Sequence, residues 1–351
     1  MFNNLVVGCE QVLTSRSRIM RELIENFPNQ ISEAANALKN HDIKKYDETA
    51  RGFTPSVVLI LGMGGSGIGG SFISSILRKT SQIPIITNSD YEIPGWVGKD
   101  TLVIACSNSG DTEETIASAN ESIKRGSKIC FITSGGKLEE LALKVDAPFV
   151  KVPGGKPPRS QFAYSLLSLA WTLMRFGLFP EKLYHELEAT VDSTKDNIKN
   201  VVERAETISE IIEGKNIHIY SDTNIECVTI RWRQQLNENS KLLVNSHVFP
   251  EMNHNELVGW ASGNEMDVVL LIRTSDDSER TSLRMDLCAE IFTEMGADVI
   301  FIDADGEGQM QQLMDLVFLG DYVSLLLAEK AGVDPVEIKN IDLLKNKLSD
   351  L

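Results

Sequence analysis

The chain has 351 residues, of which 42% are hydrophobic and 24% are charged, and its formal net charge is −16. This length fits two domains of moderate size, each with a hydrophobic core. The negative charge argues against a nucleic-acid partner, because binding a phosphate backbone needs a basic face. It does not exclude one small anion, which a few N–H groups and hydroxyls can bind.

Cysteine spacing and hydropathy point to a soluble protein of the cytoplasm. The five cysteines are scattered and include no C-x-x-C pair, so they predict neither a disulfide framework nor a zinc site. The N-terminus shows no signal-peptide pattern, and the longest apolar runs, such as residues 57–61 and 268–272, have the length of strands. We therefore expect no membrane-spanning segment.

The first half of the chain changes from a helical to a strand pattern near residue 55. Apolar residues recur at helical spacing on both sides of Pro28. Short β-branched runs then alternate with helical stretches, as in parallel βαβ units with both sheet faces buried. The predicted strands cover residues 55–61, 83–87, 101–105, 128–133 and 148–152.

The second half repeats this alternation after a Pro/Gly-rich break at residues 153–158. Helices are predicted over residues 160–176, 181–212 and 309–351, and strands over 216–221, 267–272 and 297–302. We predict an α/β fold of two domains, each a parallel sheet flanked by helices in a doubly wound, three-layer arrangement. The predicted boundaries are residues 1–155, a helical linker over 156–200, and 201–351.

The first glycine-rich loop lies between a predicted strand and a predicted helix. Residues 61–70 read LGMGGSGIGG, in which Gly62, Gly64 and Gly67 fit the G-x-G-x-x-G pattern of dinucleotide-binding folds. Those folds need an acidic residue about 20 positions later, at the end of the second strand. Asp90 is near that position but follows a polar, loop-like stretch. Dinucleotide binding is therefore the weaker interpretation.

A second loop, after the third predicted strand, is rich in hydroxyl groups. Residues 106–115 read CSNSGDTEET, with Ser107, Ser109 and Thr112 at the start of a predicted helix. Unpaired backbone N–H groups and the helix dipole favour an anion at such a place. The alternative is an N-cap formed by Asp111 or Thr112. Both interpretations can hold, because the capping and anion-binding positions share one turn.

The two loops together resemble those of the sugar isomerase (SIS) domain family, in which they bind a sugar and its phosphate. Residues 157–159 (PPR), 237–241 (NENSK) and 253–256 (NHNE) also look like motifs of bifunctional phosphoglucose/phosphomannose isomerases. The resemblance covers nearly the whole chain, as two SIS domains. It implies an enzyme that interconverts glucose 6-phosphate and fructose 6-phosphate, and also mannose 6-phosphate, through a cis-enediol. It further implies a homodimer with shared active sites and no cofactor.

The resemblance also implies a role for each candidate residue. The phosphate ligands would be Ser66, Ser107, Ser109 and Thr112, with Gly64 and Gly65 in the sugar-binding loop. The catalytic groups would be Glu238 as the base between C1 and C2, Arg159 at the enediolate, His254 in ring opening from the neighbouring subunit, and Lys345 in ring chemistry. The tail after Pro335 departs from the family pattern, which leaves Lys347 as an alternative to Lys345.

These residue types suit the implied reaction. One carboxylate can move a proton between adjacent carbons, a cation stabilises the oxyanion, and a histidine can protonate or deprotonate a ring oxygen near neutral pH. No cluster has metal-ligand spacing. The alternative is a non-catalytic SIS-domain sensor of sugar phosphates. Such regulators often carry a helix-turn-helix, and the first fifty residues contain no clearly basic recognition helix.

Overall fold

The computed structural model describes residues 15–349 as alternating strands and helices around two parallel sheets. The strands are β1 (Val57–Leu61), β2 (Ile85–Asn88), β3 (Thr101–Ser107), β4 (Lys128–Thr133), β5 (Phe149–Lys151), β6 (Asn216–Asp222), β7 (Asn245–Phe249), β8 (Asp267–Arg273) and β9 (Asp298–Asp303). The helices before β6 are α1 (Ser15–Glu25), α2 (Phe27–Lys39), α3 (Lys44–Ala50), α4 (Gly64–Leu77), α5 (Glu113–Lys124), α6 (Gly136–Lys144), α7 (Phe162–Arg175), α8 (Glu181–Asp196) and α9 (Ile198–Ile212). The later helices are α10 (Glu226–Ser240), α11 (Glu256–Gly259), α12 (Glu279–Glu294), α13 (Gly308–Lys330) and α14 (Lys339–Ser349).

The first sheet has the strand order β2-β1-β3-β4-β5, with every neighbouring pair parallel. Its residues alternate between two cores, as the period of a strand requires. Val58 and Ile60 pack on one face, whereas Leu59 and Leu61 pack on the other, under α5 and α6. Both faces are therefore covered by helices, which confirms the doubly wound arrangement.

The second sheet has the order β7-β6-β8-β9 and is also parallel. Leu270 faces the core that also receives Val58 and Ile60, and Leu271 faces a separate core under α12. The two sheets thus share one central layer of helices. The predicted linker region supplies part of that layer, since Leu166 of α7 and Leu187 of α8 are fully buried in it. The exact domain boundaries stay a prediction.

A close contact joins the two long helices of the second half, α10 and α13. Gly320 of α13 lies directly against the indole ring of Trp232, and a side chain at Gly320 would overlap that ring. The indole N–H donates to the carbonyl of Leu316 over 2.8 Å. This contact fixes α10, whose last turn carries Glu238.

The structure corrects three details of the predicted elements. The five-residue edge strand β7 was not predicted, because its NSHVF sequence is polar and only half buried. Residues 181–212 form two helices that meet at Asn197, and the terminal helical region is interrupted between Lys330 and Lys339. The remaining strands lie where they were predicted, within a few residues.

Four of the five cysteines lie in the described part of the chain. Cys106, Cys130, Cys227 and Cys288 are free and buried, and burial raises the pKa of each thiol. Cys9 and the predicted absence of a signal peptide lie outside the described residues. Between residues 15 and 349, no helix is both long and apolar enough to cross a membrane.

Candidate active site

The two predicted phosphate loops meet at the carboxyl ends of β1 and β3. These neighbouring strands form the point at which the strand order reverses, which is where open α/β sheets bind ligands. The loops are joined by one hydrogen bond, in which the N–H of Asn108 donates to the hydroxyl oxygen of Ser66 over 3.0 Å. The structure therefore brings residues 42 positions apart into one site.

The second loop folds its hydroxyls into a cluster. The hydroxyl oxygen of Ser107 lies 2.8 Å from that of Thr112 and 3.5 Å from that of Ser109, and it accepts from the N–H of Gly110 over 3.1 Å. Ser107 is buried, Thr112 is half-buried and Ser109 is exposed. The three predicted phosphate ligands in this loop thus lie together, at the edge of solvent.

Neither helix that starts at these loops carries a side-chain cap. Helix α4 follows Met63 and helix α5 follows Thr112, and within residues 15–349 no side chain accepts from their first N–H groups. The Thr112 hydroxyl is engaged with Ser107, and the Asp111 carboxylate accepts from the N–H of Lys137 over 3.1 Å. The predicted N-cap interpretation is wrong for both side chains. Two helix N-termini therefore face one site with N–H groups free for an anion.

Glycines allow the first loop to pack tightly against the segment that carries Arg159. A Cβ atom at Gly65 would lie 2.8 Å from the backbone nitrogen of Arg159, and Gly64 has a φ of +48°. A Cβ atom at Gly67 would lie still closer, 2.4 Å, to the carbonyl oxygen of Gly62. Residues 62–67 thus set the distance between the phosphate loops and Arg159.

The Arg159 side chain reaches from the first half of the chain into the second. It is 4% exposed, and its three guanidinium nitrogens each donate one bond: to Asn239 Oδ1 over 2.7 Å, to Glu238 Oε2 over 2.9 Å and to the carbonyl of Pro335 over 2.5 Å. Burial lowers the pKa of Arg159 and Glu238 opposes that shift. The structure brings the two predicted catalytic residues Arg159 and Glu238 into direct contact.

Glu238 lies in the last turn of α10, with its side chain 29% exposed. Oε2 is held by Arg159, and no hydrogen bond within residues 15–349 involves Oε1. The helix ends at Lys241, which has a φ of +60° and donates from its ammonium group to the carbonyls of Glu238 and Glu337. Arg159 thus orients Glu238 by holding one carboxylate oxygen, and the other oxygen has no partner among the described residues.

A buried polar network behind Arg159 was missed by the sequence reasoning. Arg231 and Asp321 form an ion pair at 2.7 Å with both side chains at most 5% exposed, and Arg231 also donates to the carbonyl of Arg159 over 3.2 Å. Asn239 donates to Ser324 over 2.9 Å, and Ser324 donates to the carbonyl of Asp321. The one available signal was an aspartate inside the apolar run of α13.

His254 and Lys345 lie apart from this cluster. His254 is exposed at the end of a 3₁₀ helix after β7, and Lys345 is exposed on α14. Within the described part of the chain, no hydrogen bond or ion pair joins either side chain to Arg159 or Glu238. The residues flanking His254 are fixed: Arg284 donates to Asn253 over 3.1 Å, and Tyr220 donates to Glu256 over 2.5 Å.

Two alternatives, a metal site and a dinucleotide site, depend on how acidic side chains are placed. Among residues 15–349, no group of three His, Cys, Asp or Glu side chains is arranged to hold a metal ion. Asp90, the weak candidate for a ribose contact, accepts from the N–H of Tyr91 over 2.6 Å. Its carboxylate is therefore engaged with its own loop.

Comparison with known proteins agrees with the two-domain arrangement. Residues 56–147 match the SIS domain family, and residues 201–348 match the family described as bacterial phospho-glucose isomerase C-terminal SIS domain. The bifunctional phosphoglucose/phosphomannose isomerase of Caldicellulosiruptor bescii is 34% identical, over 95% of this chain and 99% of its own. The chain belongs to the bifunctional phosphoglucose/phosphomannose isomerase family.

Two further comparisons support this membership and the fold. The bifunctional phosphoglucose/phosphomannose isomerase of Aquifex aeolicus is 35% identical, over 93% of this chain and 97% of its own. The C-terminal domain of glucosamine-fructose-6-phosphate aminotransferase from Francisella tularensis superposes with a TM-score of 0.73 at 17% identity, covering 91% of this chain and 98% of that one. At that identity the second comparison shows only a shared fold. The two family matches confirm the predicted pair of SIS domains.

The buried Arg231–Asp321 pair makes a testable contribution to stability. We expect Arg231→Met to lower the free energy of unfolding by roughly 3–5 kcal/mol, because it leaves a buried carboxylate without its cation. The double variant Arg231→Met/Asp321→Leu should regain most of that loss, since it removes both charges. Urea unfolding followed by circular dichroism measures both. Equal stability of the two variants would contradict this account of the pair.

Proposed function

We propose that this protein interconverts the 6-phosphates of glucose, fructose and mannose by moving one proton between C1 and C2. The observation that supports the proposal most strongly is the packing of Gly65 against Arg159. It places the candidate anion site directly beside the Arg159–Glu238 pair. The family membership agrees with this chemistry. The phosphate end and the reacting end of one small sugar would then have separate sites.

The phosphate would bind where the two uncapped helices converge. Ser66, Ser107, Ser109 and Thr112 supply neutral hydroxyl donors there, and Gly64 and Gly65 allow the backbone to approach the ligand. The chain has a net charge of −16, and neutral donors can bind a phosphate without lysine or arginine side chains in the loops. In this proposal the phosphate anchors the substrate and takes no part in the proton transfer.

Glu238 would carry the proton. It takes the proton from C2 of the open-chain aldose, the C–H electron pair forms the C1–C2 double bond, and O1 becomes an oxyanion. The proton on O2 then moves to O1, Glu238 returns its proton to C1, and O2 becomes the ketose carbonyl. The Arg159 guanidinium, 2.9 Å from Glu238, would stabilise the enediolate, and such preorganised charge is often the largest catalytic contribution.

His254 and Lys345 would act on the closed ring from outside this cluster. Both side chains are exposed, and within residues 15–349 neither forms a hydrogen bond or ion pair with Arg159 or Glu238 of its own chain. Their exposure supports the proposal of a homodimer in which one subunit lends His254 to the site of the other. Lys345 would take part in the ring chemistry, with Lys347 as the alternative. We also propose that the protein works in the cytoplasm.

The direct test is a coupled assay of fructose 6-phosphate conversion to glucose 6-phosphate. We expect activity without added metal or nucleotide and in the presence of a chelator, because proton transfer by a carboxylate needs neither. Mannose 6-phosphate should serve in a parallel assay. Binding of these sugar phosphates without any turnover would instead indicate a non-catalytic sensor, and loss of activity on chelation would exclude the metal-free mechanism.

Replacing the proposed base separates chemistry from binding. We expect Glu238→Gln to slow exchange of the C2 proton with deuterated solvent by roughly 10²–10⁴-fold, because the amide cannot accept the proton. Sugar-phosphate binding should persist, since the phosphate loops are unchanged. Glu226→Gln, an exposed glutamate at the other end of α10, is the matched control. Near-normal exchange in Glu238→Gln would make Glu256 the next candidate.

Mixing two inactive variants tests whether active sites are shared. If His254 comes from the neighbouring subunit, dissociating and reassociating Glu238→Gln with His254→Ala should restore roughly one quarter of the wild-type rate, because half of the dimers contain one intact site. Glu238→Gln mixed with Ser107→Ala is the control, since both residues belong to one chain's part of the site. No recovery in the first mixture would place His254 in the site of its own chain.

A further inference from the structure

His254 lies on a short segment in which only the backbone sets its position. It ends the 3₁₀ helix Glu251–His254, and α11 begins two residues later at Glu256. Its side chain is exposed, and within residues 15–349 no hydrogen bond, ion pair or ring contact holds the imidazole. The place of the imidazole therefore depends on how the neighbouring residues are fixed.

One of these anchors is the buried Tyr220 of β6. Its ring stacks on Phe292 of α12, with the ring centroids 5.8 Å apart. Its hydroxyl donates to Glu256 Oε1 over 2.5 Å and accepts from the indole N–H of Trp260 over 3.2 Å. Helix α11 begins at Glu256 and ends just before Trp260. One buried hydroxyl thus ties both ends of α11 to the core of the second sheet.

The bond from Tyr220 to Glu256 is of the strong kind. Hydrogen bonds from a hydroxyl to a carboxylate are short, about 2.5–2.7 Å, and about twice as strong as those between neutral groups. Burial raises the pKa of Tyr220, and the bond to Glu256 raises it further. The hydroxyl therefore remains protonated at neutral pH and continues to donate.

A second anchor holds the other side of His254. Arg284 of α12 donates to Asn253 Oδ1 over 3.1 Å, and the Asn253 amide donates to Cys288 Sγ over 3.1 Å. The two anchors lie one residue before His254 and two residues after it, and they reach different elements, α12 and β6. The backbone at His254 is thus fixed by contacts within one chain.

We propose that Tyr220 is a positioning residue for His254 and acts through Glu256. This inference rests on the proposed function, in which His254 opens the sugar ring in the site of the neighbouring subunit. No contact with that site is available to align the imidazole before the subunits meet. A displacement of about 1 Å can cost about 10²-fold in rate. The bond from Tyr220 fixes the segment in advance and so avoids this loss.

The first test measures ring opening apart from proton transfer. Exchange between the α and β anomers of glucose 6-phosphate requires an open ring but no proton transfer at C2, and NMR follows it. We expect Tyr220→Phe to slow the catalysed exchange about tenfold and to leave inorganic phosphate binding within about twofold. Tyr184→Phe is the matched control, because it also removes the hydroxyl of a buried tyrosine, one without a hydrogen-bond partner in the described chain.

The second test asks whether the effect passes through Glu256 to His254. Glu256→Ala should match Tyr220→Phe, whereas Glu256→Gln retains an oxygen that accepts the bond and should keep most of the rate. In a His254→Ala background, adding Tyr220→Phe should slow anomer exchange no further. A further fall would show that Tyr220 supports the fold in general, which would overturn the inference. Should Tyr220→Phe not fold, the comparison of Glu256→Ala with Glu256→Gln decides.

The third test needs no activity. The amides of Asn253, Asn255 and Val258 donate within this segment, and we expect Tyr220→Phe to speed their hydrogen exchange by about tenfold or more, with no change in Tyr184→Phe. If the wild type speeds neither isomerisation nor anomer exchange, the proposed function fails, and amide exchange alone decides whether Tyr220 holds the segment. Unchanged amide exchange, or unchanged anomer exchange in an otherwise active enzyme, overturns the inference.

Discussion

The site depends on one buried guanidinium that crosses between the two halves of the chain. Arg159 follows the first sheet, and its three nitrogens bind acceptors on Glu238, on Asn239 and on the carbonyl of Pro335, all in the second half. Its backbone also meets Gly65. One residue therefore sets the phosphate loops and the carboxylate relative to each other. Burying a charge is costly unless every donor is paired, which ties this geometry to all three acceptors at once.

The fold gives this arrangement the rigidity that it needs. The inner faces of the two sheets pack against one shared central layer of helices. Helices α7, α10 and α13 contribute buried residues to this layer. Arg231 and Asp321 lie inside that layer as an ion pair, and Arg231 donates to the backbone carbonyl of Arg159. Packed interiors shift little under strain. Small movements between the halves would have to break buried hydrogen bonds as well as apolar contacts.

The sequence alone predicts features that consecutive residues form, but not contacts between residues that are far apart in the chain. Eight of the nine described strands and the two loops were predictable because a strand-loop-helix pattern lies in consecutive residues, whereas the polar edge strand β7 was missed. The choice between an N-cap and an anion site at Thr112 was not, since it depends on how the hydroxyl turns towards Ser107. The bonds of Arg159 join residues 79 to 176 positions apart. No spacing rule connects Asp321 to the site, and only the family resemblance singled out Glu238 and Arg159.

The distribution of charge explains how so acidic a chain can hold a phosphate ester. At physiological ionic strength charges are screened over about 8 Å, so distant carboxylates of the −16 total contribute little. Close to the site, Asp111, Glu113 and Glu114 of the second loop and of the first turn of α5 add negative charge. The hydroxyls of the loops and the positive ends of two helix dipoles act against it. In the proposed function, Arg159 is then left for the reacting end of the substrate. A lysine in the phosphate loops would bind the anion more strongly but could also pair with Glu238 and compete with Arg159 for it.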